Sequence, residues 1–573
     1  MENILDYPNP LKRRASTRLL CGEYSFRRDG GEWEKINVPY CPESELSGVG
    51  YKDFIPLCYY RRGFTIDESA ENKRTILHFG AVNYYAEAYV NGNYVGSHKG
   101  GYTPFEFDIT DYVKRGENEL SVRVRTGDLS NSARGKQSYK KQSFGCFYTR
   151  VTGIWQPVWL ETVPENRVRD FYFRPDVKNS SVNVELLTTG KGRYRVRVLF
   201  DGREVGCASG EIAYRTTFEI KLSEVRLWRE GEGNLYDVVI EYEGDEVRSY
   251  FGLRETRYDG MEYTLNGKPI FQRFVMDQGY YTGGVYTPRS VMEFAADVER
   301  GKALGFNGVR LHQKLSDPRL LYVCDKAGYM AWGEYPSWGI DYSSLDHLGQ
   351  FLAEWEEAVR RDFNHPSIIT WCPLNEVWGA WEEPDKLGDG RFAATVYDFT
   401  KRVDETRPCV DVSGGVHGEK TDLFDFHSYE KTEDLQKYLT GLDEADELEV
   451  PLLYCSQSDA RYRGGQPVSF SECGGIALAD SFDSEETGEI NRGAVLSESG
   501  WGYGKREREG DEFVDRYEKL ITLVQSAKKL SGFCYTQLYD VEQEVNGFYR
   551  ADRTDKLTEA QKLRIREINL KRV

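Results

Sequence analysis

The sequence predicts a multidomain chain: two β-sandwiches followed by a C-terminal (β/α)₈ TIM barrel. Three observations predict it. The 573 residues exceed what one hydrophobic core organises, so two to four domains are expected. Up to about residue 254 the chain reads as short alternating strands separated by turn residues. Beyond it, eight apolar runs alternate with amphipathic helical stretches, the pattern of parallel strands wrapped by helices.

Residues 1–165 are expected to form a jelly-roll-like sandwich. Tyr59–Ile66, Thr75–Phe79 and Ala86–Val90 alternate, and Asn91-Gly92 supplies the positive-φ pair of a tight hairpin. Asn118–Val124 and Trp155–Leu160 continue the series. Residues 166–254 suit a smaller immunoglobulin-like sandwich, with strands at Ser181–Leu186, Tyr194–Leu199 and Tyr236–Ile240. Residues 255–573 are the barrel. Its strands are expected at 269–278, 305–312, 328–336, 367–376, 407–415, 423–430, 467–475 and 530–540, with helices at 288–303, 317–327, 346–363, 390–405 and 512–529.

Composition excludes several classes. A net charge of −18 argues against nucleic acid or an anionic membrane as partner, and no apolar run approaches a membrane span. The eleven cysteines lack a repeated short spacing or a Cys/His zinc pattern. Cys146, Cys324, Cys372, Cys473 and Cys534 sit in apolar runs and read as buried reduced thiols. With no secretion signal visible at the N-terminus, the expected location is cytoplasmic. Aromatic residues make up 14% of the chain; Tyr and Trp suit sugar rings, stacking on the apolar face and hydrogen-bonding with the polar tip, although β-rich cores account for most of them.

Polar residues at the C-terminal ends of barrel strands line the pocket in this fold. Here they are Asp277, His312, Glu334, Glu376, His427, Glu472 and Gln537. Glu376 closes the fourth run, Ser367–Glu376, and Glu472 lies in the seventh, Pro467–Gly475. Two carboxylates on one rigid rim are what glycoside hydrolysis needs.

Long ordered motifs then match a family over nearly the whole chain. They are Val82–Gly96, Gly100–Thr110 and Gly153–Glu161 in the first region; Leu227-Trp228, Asn234–Tyr236 and Tyr250–Arg254 in the second; and Leu265–Pro269, Asn307–His312, Asp317-Pro318 and Cys324–Gly328 in the barrel. The chain resembles glycoside hydrolase family 2, the β-galactosidase, β-glucuronidase and β-mannosidase group. The resemblance implies a sugar-binding first domain and a retaining mechanism, with Glu376 as acid/base, Glu472 as nucleophile and Asn375 on the sugar 2-hydroxyl. Glu376 is then expected to be protonated and Glu472 ionised at neutral pH. Arg310 matches a family arginine and is expected to orient Glu472. Asp277, His312, His427, Tyr429, Tyr535 and Gln537 complete the expected substrate site. Trp332, Trp338 and Trp501 are candidate walls, and the loop Arg134–Gln137, with Lys136, is a candidate to reach over the barrel mouth from the first sandwich. Family members are commonly oligomers, which implies a homo-oligomer here.

Three departures narrow the expectation. The segment Glu334–Asp341 lacks the Glu-x-His of the large β-galactosidases, so no metal and no cofactor is expected. No lysine stands two residues after Asn546, where the resemblance places the uronate-binding Asn-x-Lys of β-glucuronidases. Cys473 follows Glu472 where an aromatic is usual. The run His312–Arg319 resembles a β-galactosidase subgroup. The expected function is therefore a retaining exo-β-glycosidase on terminal β-linked sugars of a carbohydrate or glycoconjugate, with β-D-galactosides first. A β-glucuronidase, β-galacturonidase or pentopyranosidase is the alternative on the same scaffold. A non-catalytic carbohydrate-binding protein is the alternative of another class.

Overall fold

A computed structural model describes residues 3–571, apart from 127–130, 378–388, 415–416, 419, 430, 445–447, 450–460, 463, 479–488, 491–493 and 498–499. In the first region a six-stranded antiparallel sheet faces a four-stranded one. Leu57–Ile66, Gly116–Arg125 and Tyr85–Val90 lie adjacent in the larger sheet, and alternate side chains, among them Tyr60, Val122 and Ala88, are buried between the layers. Asn91 and Gly92 have φ of 50° and 80°, as a primed hairpin turn requires.

The second region is immunoglobulin-like. Its strands differ from expectation in length: Ser181–Phe200 is continuous, joining two segments read separately. A register shift between Leu187 and Lys191 lets its first half pair with Val168–Asp176 and its second with Tyr236–Tyr242. The Thr188-Thr-Gly-Lys-Gly interruption that divides the run in sequence is therefore a bend within one strand.

The barrel strands are β1 Gln272–Asp277, β2 Gly308–Leu311, β3 Met330–Glu334, β4 Ile368–Cys372, β5 Val412–Ser413, β6 Phe424–Ser428, β7 Val468–Gly474 and β8 Leu530–Thr536. All eight fall inside the expected runs. Seven form one curled parallel sheet in the order β4-β3-β2-β1-β8-β7-β6. The short β5 lies between its ends, pairing with Leu374–Asn375 just beyond β4 and bonding to β6 through Ser413 Oγ and Asp425 Oδ2 (2.7 Å).

The helices are α1 Met292–Ala303, α2 Pro318–Ala327, α3 Leu348–Asp362, α4 Gly390–Val403, α5 Thr432–Glu444, α6 Gly510–Ser526 and α7 Glu559–Leu570. Their punctuation is local. Asp317 caps α2 with Pro318 at its first turn, and Gly328 ends it at φ 60°. Helices α5 and α7 went unread in the sequence; α7 is opened by a Thr558/Gln561 capping box. After β7 the chain forms a small sheet from Ile476–Leu478, Glu489–Ile490, Ala494–Ser497 and Gly500–Glu507, also unread, because its strands are too short and Gly-rich to show a period.

The sandwiches are fixed to the barrel by buried polar contacts. Tyr84 of the first sandwich donates to Glu354 of α3 (2.7 Å), which also accepts from Tyr335 of the barrel (2.5 Å). Trp228 and Tyr250 of the second region donate to Asp325 of α2 (2.7 and 2.8 Å). Such anchoring holds a sandwich loop against the barrel mouth. Arg134 N–H donates to the Trp338 carbonyl (2.8 Å) and Gly135 N–H to Pro336 (3.2 Å). Gly135 has φ 59°, and a Cβ there would stand 2.1 Å from the Gln313 carbonyl oxygen, so this approach requires glycine.

Candidate active site

Arg310, fully buried at the end of β2, organises the floor of the cleft. Its Nε donates to Glu334 at the end of β3. Its Nη1 donates to Glu472 Oε1 (2.9 Å) and to the Ser471 carbonyl (3.0 Å), and Nη2 to Asn375 Oδ1 (2.5 Å). Burial would lower the guanidinium pKa, but Glu334 and Glu472 outweigh it and drive it well above its usual value. Arg310 thus positions Glu472 and Asn375 from beneath and does not itself reach the cleft. A lysine cannot fork to four acceptors, so Arg310→Lys is expected to cost about 3–5 kcal/mol of stability, the scale for breaking a buried pair. Denaturant unfolding measures it; a loss below about 1 kcal/mol would show that the ion pair contributes nothing net.

Glu376 lies one residue beyond Asn375. Its φ of 42° is uncommon for a residue with a side chain, and its N–H is held by the Ser413 carbonyl of β5 (2.9 Å). This backbone kink ends the β4 extension at the rim. His427 Nδ1 donates to Glu376 Oε1 (2.7 Å) and lies 3.4 Å from Glu472 Oε2. Tyr429 donates to the same Glu472 oxygen (2.7 Å), and its ring stacks on Tyr503 of the small sheet at 3.6 Å between centroids. One oxygen of each glutamate and a His427 nitrogen all lie within 4.8 Å of one another.

Electrostatics in the unliganded cleft differ from the sequence expectation. Burial pushes the Glu376 carboxyl up, but the hydrogen bond and charge of His427, with Lys136 and His312 behind it, prevail and hold it at about 2. Glu472 is also depressed: burial raises it, while His427 and Arg310 lower it more. The proton between Glu376 and His427 therefore lies in a bond that favours the carboxylate, where a protonated Glu376 was expected.

The remaining expected residues divide. Asn375 is buried, and its Nδ2 has no partner among the described residues. His312 bonds through Nδ1 to Glu334 Oε2 (3.0 Å) and stands 3.9 Å from Glu472; it braces the floor. Asp277 accepts from Gly279 N–H (2.7 Å), capping the turn after β1. Gln537 Nε2 donates to Asn546 Oδ1 (2.8 Å), Asn546 Nδ2 to Glu544 (2.9 Å), and Tyr148 of the first sandwich donates to Glu544.

Tyr535 corrects the sequence reading. It packs edge-on against Tyr517 of α6 and against Phe548, on the helix side of β8, so it does not line the cleft. Side chains alternate along a strand, and Tyr535 takes the outward position. Trp332 is in the barrel core, bonded to Gln272 (3.0 Å). Trp338 donates to the Asn375 carbonyl (2.9 Å), beside the catalytic-type pair, and Trp501 donates to Gly145 of the sandwich (2.7 Å). Cys473 is buried with Sγ directed at the Cys534 carbonyl (3.4 Å), and burial raises its thiol pKa, as befits an inert thiol. Lys314 is committed to the Gly279 and Tyr286 carbonyls. The sequence reading missed Ser413, Ser471, Tyr503 and Glu544. Glu544 stands two residues before Asn546, in a segment read only for a lysine; nothing in the short Gly-flanked strand of Tyr503 points to the cleft.

A three-domain chain with a carboxylate pair at the mouth of its barrel defines a class, and comparison with known proteins agrees with it. Residues 37–164 match the sugar binding domain of glycosyl hydrolases family 2, residues 166–254 the family's central domain, and residues 262–466 its TIM barrel domain. The chain belongs to glycoside hydrolase family 2. It is 29% identical to the β-galactosidase of Thermoanaerobacter pseudethanolicus over 425 residues, covering 69% of this chain and 53% of that one. It is 28% identical to a Formosa agariphila protein assigned to the β-glucuronidases, covering 65% and 47%. The chain thus spans about half the length of these relatives. The fold superposes on the β-D-glucuronidase of Dictyoglomus thermophilum with a TM-score of 0.77 at 20% identity, covering 98% of both chains.

Proposed function

We propose that the chain is a retaining exo-β-glycosidase acting on terminal sugars of galacto configuration, with the C6 position either a hydroxymethyl group or a carboxylate. The observation that carries the mechanism is the spacing of Glu376 and Glu472, which share His427 with oxygens inside 4.8 Å. Retaining enzymes hold their carboxyls about 5–5.5 Å apart, whereas inverting ones leave room for a water at about 6.5–9.5 Å. Glu472, fixed by Arg310 and Tyr429 and kept ionised, attacks the anomeric carbon. Glu376 gives its proton to the leaving oxygen, then takes one from water as the glycosyl–Glu472 ester is hydrolysed. The unpartnered Asn375 Nδ2 is placed to bind a sugar hydroxyl. The galacto configuration is supported by the β-galactosidase among the relatives.

Proton NMR of the first-formed sugar tests the mechanism. The β-anomer should appear before mutarotation; the α-anomer would reject it.

The contact with His427 makes a pH prediction. The hydrogen bond and the charge of His427 lower the Glu376 carboxyl against the raising effect of burial. His427→Gln removes the hydrogen bond and the charge that hold Glu376 low, so the alkaline limb of kcat/KM, which reports loss of the general acid's proton, should move to higher pH. The acid limb, set by Glu472, should move in the same direction, because His427 also lowers that carboxyl together with Arg310. A pH–rate profile from 4 to 9 on a nitrophenyl glycoside decides; an unmoved alkaline limb would mean that His427 does not hold the acid's pKa down.

A further inference from the structure

Lys136 is a group at the cleft to which the double displacement assigns no chemical step. It lies in the sandwich loop seated on Trp338 and Pro336, and only 8% of the residue is exposed. Its Nζ stands over the Trp338 ring, 4.1 Å from the centroid, and Trp338 is bonded to the backbone of Asn375. Among the described residues no oxygen accepts a hydrogen bond from this ammonium, and no carboxylate lies within ion-pair distance. The charges facing it are Glu472, Glu376 and Glu544, with Cys146 beside them. Glu544 is engaged elsewhere, by Tyr148 and Asn546. Burial would lower its pKa, but these charges outweigh it, so the ammonium stays charged while hydrogen-bonded to none of them. The Trp338 face adds a cation–π contact but offers no hydrogen-bond acceptor. Among the described residues the N–H donors of the Lys136 ammonium are thus uncommitted.

We propose that Lys136 is a specificity-determining residue that binds a carboxylate on the sugar held between Glu376 and Glu472, so that the preferred substrates are β-linked hexuronides. This rests on the glycosidase reading above and names its substrate class. The cation comes from the first sandwich, so the specificity of the barrel is set partly by another domain. Gly135 is the hinge of that arrangement, since no other residue lets the loop approach Gln313. A charge-assisted hydrogen bond in a desolvated site discriminates strongly between a carboxylate and a neutral hydroxymethyl group.

The test compares p-nitrophenyl β-D-galacturonide, β-D-glucuronide and β-D-galactoside with the full-length protein and its Lys136→Gln and Lys136→Arg variants. Wild type should favour a uronide over the galactoside in kcat/KM. Lys136→Gln should lower the uronide-to-galactoside ratio by about 30-fold, and Lys136→Arg should restore part of it. A wild type that turns over the galactoside and ignores both uronides would overturn the assignment while leaving the glycosidase reading intact. So would a ratio unchanged in Lys136→Gln. Calorimetric binding of free D-galacturonate and D-galactose gives a readout independent of turnover. Galacturonate should bind more tightly to wild type, with an affinity that falls with salt and with Lys136→Gln; equal binding of the two sugars would reject the role of Lys136 whatever the activity.

Discussion

Glu472→Gln is expected to lower kcat on aryl β-glycosides by about 10⁵-fold, the scale seen when the nucleophile of a covalent mechanism is removed. The amide cannot form the glycosyl ester, yet it keeps the size of the carboxyl and an oxygen that can accept from Arg310 and Tyr429. Arg310 also retains Glu334 as counter-ion. The folded state should therefore survive, and thermal denaturation of the variant is the control. Sugar binding should persist where turnover is lost. This outcome separates an enzyme from a non-catalytic carbohydrate-binding protein. A wild type as inert as the variant across a broad panel of glycosides would favour the latter.

Glu376→Ala is the second large effect, and its size depends on the leaving group. Loss of the general acid should cost about 10²–10⁴-fold on a substrate whose alkoxide leaves poorly. It should cost far less in the first step on a dinitrophenyl glycoside, which needs no protonation. With that substrate the second step becomes limiting, because no base activates water. Added azide, a nucleophile that needs no base, should then accelerate turnover and yield the β-glycosyl azide. Equal losses on all leaving groups, without azide rescue, would remove Glu376 from the acid/base role. His427 enters this picture as a positioning residue: its hydrogen bond holds Glu376 low in the empty cleft. Substrate binding must therefore weaken that bond or move its proton before glycosylation.

The eight barrel strands were legible because each is a buried, β-rich apolar run between amphipathic helices. The polar residue that closes such a run is automatically at the rim. That reasoning singled out Asp277, His312, Glu334, Glu376, His427 and Glu472. It failed at Tyr535, because a strand buried on both faces carries no alternation to say which residues point inward. It also failed at the small sheet after β7, which brings Tyr503 onto Tyr429. The two conspicuous lysines, Lys136 and Lys314, could not be told apart in sequence. Their fates diverge only through contacts: Lys314 is consumed by two carbonyls, while Lys136 keeps an ammonium stacked on Trp338.

By itself the sequence determined the domain order, the barrel and the glutamate pair. These follow from periodicity, turn chemistry and motif spacing, all local properties of the chain. Only the tertiary structure decided the electrostatic state of that pair and the origin of the cation beside it. Those depend on groups far apart in sequence and close in space: Arg310 beneath both Glu334 and Glu472, His427 between two carboxylates, and a sandwich loop pressed against the barrel rim. Charge interactions are fixed by distance and burial, and neither is written along the chain.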